Sequence, residues 1–88
     1  MELSFADRMA IVAAAGNFYQ NSLPDELPLA KSINNLALRI STGKCNGLTF
    51  EQLVHIRCCL EEYIEDFPDD SLPQQSLLSR LPALPPFA

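Results

Sequence analysis

At 88 residues the chain is one small domain, able to bury about two-thirds of the surface its unfolded form exposes, so its stability is modest and a partner or second copy would add to it. A hydrophobic share of 48% excludes wholesale disorder. Eleven acids against six bases give a net charge of −5, which argues against a nonspecific nucleic-acid binder, and equally against an anionic membrane surface. The charged partner this composition fits is a protein with a basic surface.

Three cysteines, two of them adjacent, are not the disulfide framework of a secreted mini-protein, and a reducing cytoplasm is the simpler setting. The run Met9 to Gly16 (MAIVAAAG) resembles the apolar part of a signal peptide, but Glu2 and Asp7 stand where a positive leader belongs. The run is also far short of the roughly 20 residues that span a bilayer.

A first helix is expected from Ser4, its N-cap, to Asn21, with Asp7 completing a capping-box pair. It carries two apolar stripes. Phe5, Met9, Val12, Gly16 and Tyr19 form one; Ile11, Ala14, Ala15 and Phe18 form the other. A helix apolar on two sides is central to its fold or shared with another chain, so the protein is a monomer built around this helix or a homodimer through it. Ser22-Leu23-Pro24-Asp25 interrupts the chain. A second helix follows over Leu27 to Thr42, with Leu29, Ile33, Leu36, Ala37 and Ile40 on its core arc and Lys31, Asn35 and Arg39 opposite. Gly43 is its terminating glycine.

Thr49 and Gln52 form a capping box opening a third helix, Phe50 to Asp66, whose core face is Leu53, Ile56, Leu60, Tyr63, Ile64 and, just beyond it, Phe67. Ser71 and Gln74 repeat the pattern before a short fourth helix, Leu72 to Arg80. No strand-like alternation of useful length occurs. The expected fold is all-α, a small bundle of three helices plus a short fourth (residues 1–81), followed by a Pro-rich apolar tail (82–88). In that tail region Leu78, Leu81, Leu84 and Phe87 recur every third residue, the period of a polyproline II strand. Such an edge straps across the bundle, as Leu77, Leu78, Leu81, Leu84 and Phe87 would against the first helix, or docks on another protein.

The stretch His55-Ile56-Arg57-Cys58-Cys59-Leu60-Glu61-Glu62 is the one place that resembles site chemistry. On a helix, His55 neighbours Cys58 and Cys59 at i+3 and i+4, a spacing open to a shared metal or an activated thiol. Structural zinc needs four ligands, and only Cys45 remains to add. With Phe50 at zero, the core arc spans about 220° to 320°, which leaves Cys59 half-buried near 180° and puts Cys58 on the surface near 80°. The residues therefore read as parts of a packed helix, with no cofactor and no metal, and no catalytic constellation appears elsewhere.

The remaining signal is charge. Seven of the eleven acids lie between Glu51 and Asp70, where Arg57 is the only base. Glu61, Glu62, Glu65, Asp66, Asp69 and Asp70 form an acidic ridge suited to a basic partner. The expected function is that of a noncatalytic, cytoplasmic interaction or regulatory protein. The alternatives are a small acidic inhibitor, of a phage type, that imitates nucleic acid before a nucleic-acid-handling machine, and a helix-turn-helix regulator. The last is disfavoured because its recognition helix would be acidic.

Overall fold

The computed structural model describes residues 3–44 and 47–81. They form four helices, α1 (Phe5–Asn21), α2 (Leu27–Ser41), α3 (Phe50–Asp66) and α4 (Leu72–Arg80), with a single 3-10 turn, Pro24–Glu26, leading into α2. No strand occurs among the described residues, so the fold is the all-α bundle that the periodicity predicts. Cys45 and the expected tail at 82–88 lie outside the described residues.

Local chemistry sets the helix ends. The Ser4 hydroxyl accepts from the Asp7 N–H at 3.1 Å while the Asp7 carboxylate accepts from the Ser4 N–H at 3.0 Å. Thr49 and Gln52 make the same reciprocal pair at 3.1 and 2.9 Å. At the end of α2, Gly43 sits at φ +92, the left-handed region open to glycine at little cost. Its N–H donates to the Ile40 carbonyl at 2.9 Å, and the Lys44 N–H donates to that of Arg39 at 3.3 Å, the paired bonds of a Schellman ending.

The third expected capping box does not form. Ser71 has ψ 28 where an N-cap needs an extended backbone, so its hydroxyl is not aimed at the Gln74 N–H. It accepts instead from Gln75 Nε2 at 3.0 Å, and Ser71 is wholly buried. Gln74 turns the other way and donates from Nε2 to the Ala10 carbonyl of α1 at 3.3 Å, which ties α4 to the centre of the bundle.

Two long-range contacts fix the topology. Asp66, at the end of α3, accepts from the side-chain amides of Asn17 and Asn21, at the end of α1, both at 2.9 Å. Arg80, in the last turn of α4, reaches Asp7 in the first turn of α1. So α1 and α3 run parallel, α4 runs against them, and α2, which follows α1 through a tight turn, also runs against it. The path is up, down, up, down.

Helix α1 is the centre, and α2, α3 and α4 all pack on it. Its buried apolar residues are Ala10, Ile11, Ala14 and Ala15, essentially the second of the two stripes. The first stripe is half-buried at Met9, Val12 and Gly16, and Phe5 is 67% exposed. Leu77 of α4 is fully buried in the core, with Leu78 and Leu81 packed at its margin. Leu84 and Phe87 lie outside the described residues. On α2 the expected Leu29 is exposed, and Ala30, on the same arc, is buried in its place: the first turn of α2 approaches α1 through its smallest side chain.

The core face of α3 is rotated from the expected arc. Its buried residues are Ile56, Cys59 and Leu60, centred near about 230° on the wheel defined above. Ile64 and Tyr63 are half-buried, and Phe67 is 42% exposed. The rotation is away from Arg57 and Ile64, which line the groove against α4, and toward Gln52 and His55, which line the cleft against α2.

The buried acid of the bundle is Asp7. Both of its oxygens face the Arg80 guanidinium, Oδ2 at 3.2 Å from Nη1, and Oδ1 forms the shorter contact with Nη2. The hydrogen bonds from Arg80, together with the Ser4 cap, outweigh burial and hold the Asp7 carboxyl at about 2, below its ordinary 3.8. A depressed carboxylate pKa contributes stability that is complete above the unfolded value and is lost as pH falls toward the folded one. Asp7→Asn should therefore lower the melting temperature at neutral pH, and the gap to wild type should close between about pH 4 and pH 2. Thermal melts across that range check this; a gap that persists at pH 2 would mean that the carboxylate charge is not what Asp7 contributes.

Candidate functional site: the acidic pole

The up-down path gathers the ends of α1 and α3 with the starts of α2 and α4 at one pole. Six of the acids expected to form a ridge lie on the last turns of α3 and the turn into α4, so they fall there together. Asp25 and Glu26, in the 3-10 turn before α2, arrive at the same pole from a distant part of the chain. The ridge is therefore a cap of eight acids contributed by two segments. Linear charge counting misses Asp25 and Glu26; the up-down reading of four short-linked helices is the signal that finds them.

The acids are not equivalent. Glu65, Asp69 and Asp70 are exposed and make no described ion pair. Glu61 pairs with Arg57 one turn earlier, Nε to Oε1 at 3.3 Å. Asp66 holds α3 to α1 through the two asparagine amides, so it serves the fold. Glu26 reaches back to accept from the Leu23 N–H at 3.1 Å. Glu62 is half-buried, and its Oε2 is shielded with no hydrogen-bond partner among the described residues. Burial first, and then the negative charges of Asp66, Glu26 and Glu65, push the Glu62 carboxyl above its ordinary value. Field from an element 36 residues away in sequence is thus felt at Glu62.

Beside the acids runs a groove of about 460 Å³ between α3 and α4, with Ile64, Pro68 and Leu78 as its apolar lining and Arg57, Gln75 and Ser79 as its polar one. Phe67 and Leu72 stand exposed at the turn that closes it, Leu72 at 73%. Arg57, in the lining of the groove, is the base that pairs with Glu61.

The histidine–cysteine stretch separates in space. Cys59 is a core residue, 2% exposed, deeper than the half-buried position expected because the core face of α3 is turned toward it. Burial, with smaller contributions from Cys58 and Glu62, pushes its thiol up to about 12, so it is a poor nucleophile. Cys58 is an exposed free thiol. His55 is half-buried and lines a different cleft, facing α2. Among the described residues no three His, Cys, Asp or Glu side chains form a group able to hold a metal ion. Among the same residues, no helix is long and apolar enough to cross a membrane.

No family model, curated protein or solved structure matches this chain.

Two measurements test these assignments. Cys59→Ser should cost about 1–2 kcal/mol, because a hydroxyl replaces a buried thiol without a partner, and a domain of this size loses roughly 4–8 °C per kcal/mol. Cys58→Ser should leave the melting temperature unchanged, and site-resolved alkylation of the native protein should modify Cys58 well before Cys59. Glu62→Gln should raise the melting temperature at neutral pH. A raised carboxyl pKa penalises the folded state above that pKa, so the gain should vanish as pH falls below the ordinary 4.5. A neutral or harmful Glu62→Gln at pH 7 would show that Oε2 has a partner or solvent access.

Proposed function

We propose that this chain is a noncatalytic, cytoplasmic interaction protein that binds a basic surface of a partner protein through its acidic pole. The observation that carries the reading is the convergence of two separate segments, 25–26 and 61–70, on one end of the bundle. It places Glu65, Asp69 and Asp70 in solvent beside Phe67 and Leu72. Burial and the neighbouring negative charges both raise the Glu62 carboxyl, and Glu65, Asp69 and Asp70 make no described ion pair that offsets their mutual repulsion. A basic partner relieves that repulsion on binding and is steered toward the pole during encounter. The neighbouring apolar side chains supply area that charge alone lacks.

The helix-turn-helix alternative has less support. The connection between Ser41 and Phe50 is eight residues, against the three or four of that motif, and the helix in the recognition position carries the acids. A basic groove that ordinarily holds nucleic acid is one form that the partner surface can take. Competition between the protein and a DNA or RNA duplex for the captured partner distinguishes that case.

The test is a pair of charge reversals, Glu65→Lys with Asp69→Lys. Both sites are exposed, so stability should stay within about 0.5 kcal/mol of wild type or rise as repulsion is relieved. Association with a partner captured from the native host should slow by about tenfold or more at low salt, with dissociation less affected. The wild-type association rate should fall steeply as ionic strength rises. Equal association rates for the variant and wild type would remove the acidic pole from the interface.

A further inference from the structure

The opposite end of α3 carries a cleft of different character. Helices α2 and α3 both pack closely on α1 but barely touch each other, and the wedge between them is a cleft of about 320 Å³. Its floor is apolar, made by Ile33 and Leu36 of the core. Its walls are polar, with Ser32, Asn35 and Arg39 from α2 facing Gln52 and His55 from α3. Asn35 and Arg39, which sequence spacing puts on the solvent stripe opposite the core, therefore border a cavity.

The walls are biased toward hydrogen-bond donors. The Gln52 side-chain oxygen is already taken by the Thr49 N–H, which leaves its NH₂ to offer. Arg39 offers guanidinium donors and makes no ion pair among the described residues. Ser32, Asn35 and His55 can each donate or accept, so the donor bias comes from Arg39 and Gln52. In a chain with eleven acids, no carboxylate lines this cleft. Gln52 is the third residue of α3, so the positive end of that helix dipole adds to the same sign. The acids of the pole begin about ten residues, or about 15 Å, further along α3.

We propose that the α2–α3 cleft binds a small organic anion, a carboxylate with a compact apolar body, whose charge sits on Arg39 and the donors of Gln52 and His55 while its body covers Ile33 and Leu36. Arginine matches a carboxylate in geometry and stays charged at every working pH. The volume, at the lower end of the range for ligand sites, suits a molecule the size of one aromatic acid rather than a nucleotide. The site is independent of the acidic pole, since no ridge acid lines it.

Benzoate is the probe. Titrated into the isotope-labelled full chain, it should shift the amide signals of residues 32–39 and 52–55 in a saturable way. Benzylamine, of the same shape and opposite charge, should not. Arg39→Gln should weaken benzoate at least about tenfold, the loss expected for a charge-assisted contact. Lys31→Gln removes the same charge from the same helix outside the cleft, and should leave binding unchanged. Inorganic phosphate should bind more weakly than benzoate, because it cannot use the apolar floor. The proposal is overturned by any of four results: no saturable shift up to about 20 mM benzoate, equal shifts with benzylamine, equal losses in the two variants, or phosphate binding as tight as benzoate. Arg39 and Lys31 are both exposed, so loss of folding does not confuse the comparison.

Discussion

The bundle depends on how closely its neighbours can approach α1. Ala10, Ala14 and Ala15 of α1 are all but inaccessible, and so are Ala30 and Ala37 of α2, which packs on α1. Short side chains on facing helices bring the backbones together and raise the density of packing contacts without much volume. They also limit how much apolar area each residue can bury, so the larger anchors Ile11, Ile33, Ile40, Leu60 and Leu77 must close the remaining space from four different helices. Four helices around one short core leave little to spare, and a single cavity there would remove a large part of the stability of a domain this small.

Polar tethers at the two ends complete what the alanine seam begins. At one end Asp7 caps α1 and binds Arg80 of α4; at the other Asp66 gathers Asn17 and Asn21. The two differ in kind. Asp7 lies in the first turn of α1 and Arg80 in the last turn of α4, so each charge also complements its own helix dipole. Asp66 lies at the wrong end of α3 for its charge, and neutral amides from a parallel helix, not a cation, satisfy it. Between them, these contacts join the first helix to the third and the fourth, the pairings for which sequence neighbourhood does nothing.

The number of helices, their limits to within a residue, and two of the three proposed caps were legible because they rest on local chemistry: a hydroxyl three residues before an acid or amide, a glycine past the last turn, a proline in the first. The Ser71–Gln74 box carried the same letters and failed because tertiary contacts claimed both side chains, Gln74 for α1 and Ser71 for the buried interior. Periodicity placed the core of α3 to within about 40°, and the rest depends on where the neighbouring helices stand around it, which no pattern within α3 records. The acidic segment 61–70 was plain in the sequence. Asp25 and Glu26 joined it only through topology, and Asp66 left it only through a bond to residues 45 and 49 positions earlier. The Asp7–Arg80 pair spans 73 residues and had no sequence signal beyond two opposite charges.

The acidic pole holds much of the unfavourable electrostatics of the fold, although Asp66 within it tethers α3 to α1. Glu61, Glu62, Glu65 and Asp66 occupy the last two turns of α3, where the helix dipole favours cations, and no base stands in that last turn. Glu62 is partly buried with an unpartnered oxygen, and three other carboxylates raise its pKa. Lysine or arginine at the exposed Glu65 would relieve repulsion, complement the dipole and keep helix propensity. Local rules are broken together at this pole and obeyed at the caps and the Asp7–Arg80 pair, and that contrast is the ground for proposing the pole as an interface. Under the proposed function, a basic partner would offset the repulsion among the exposed carboxylates on binding, while the burial of Glu62 stays as folding leaves it.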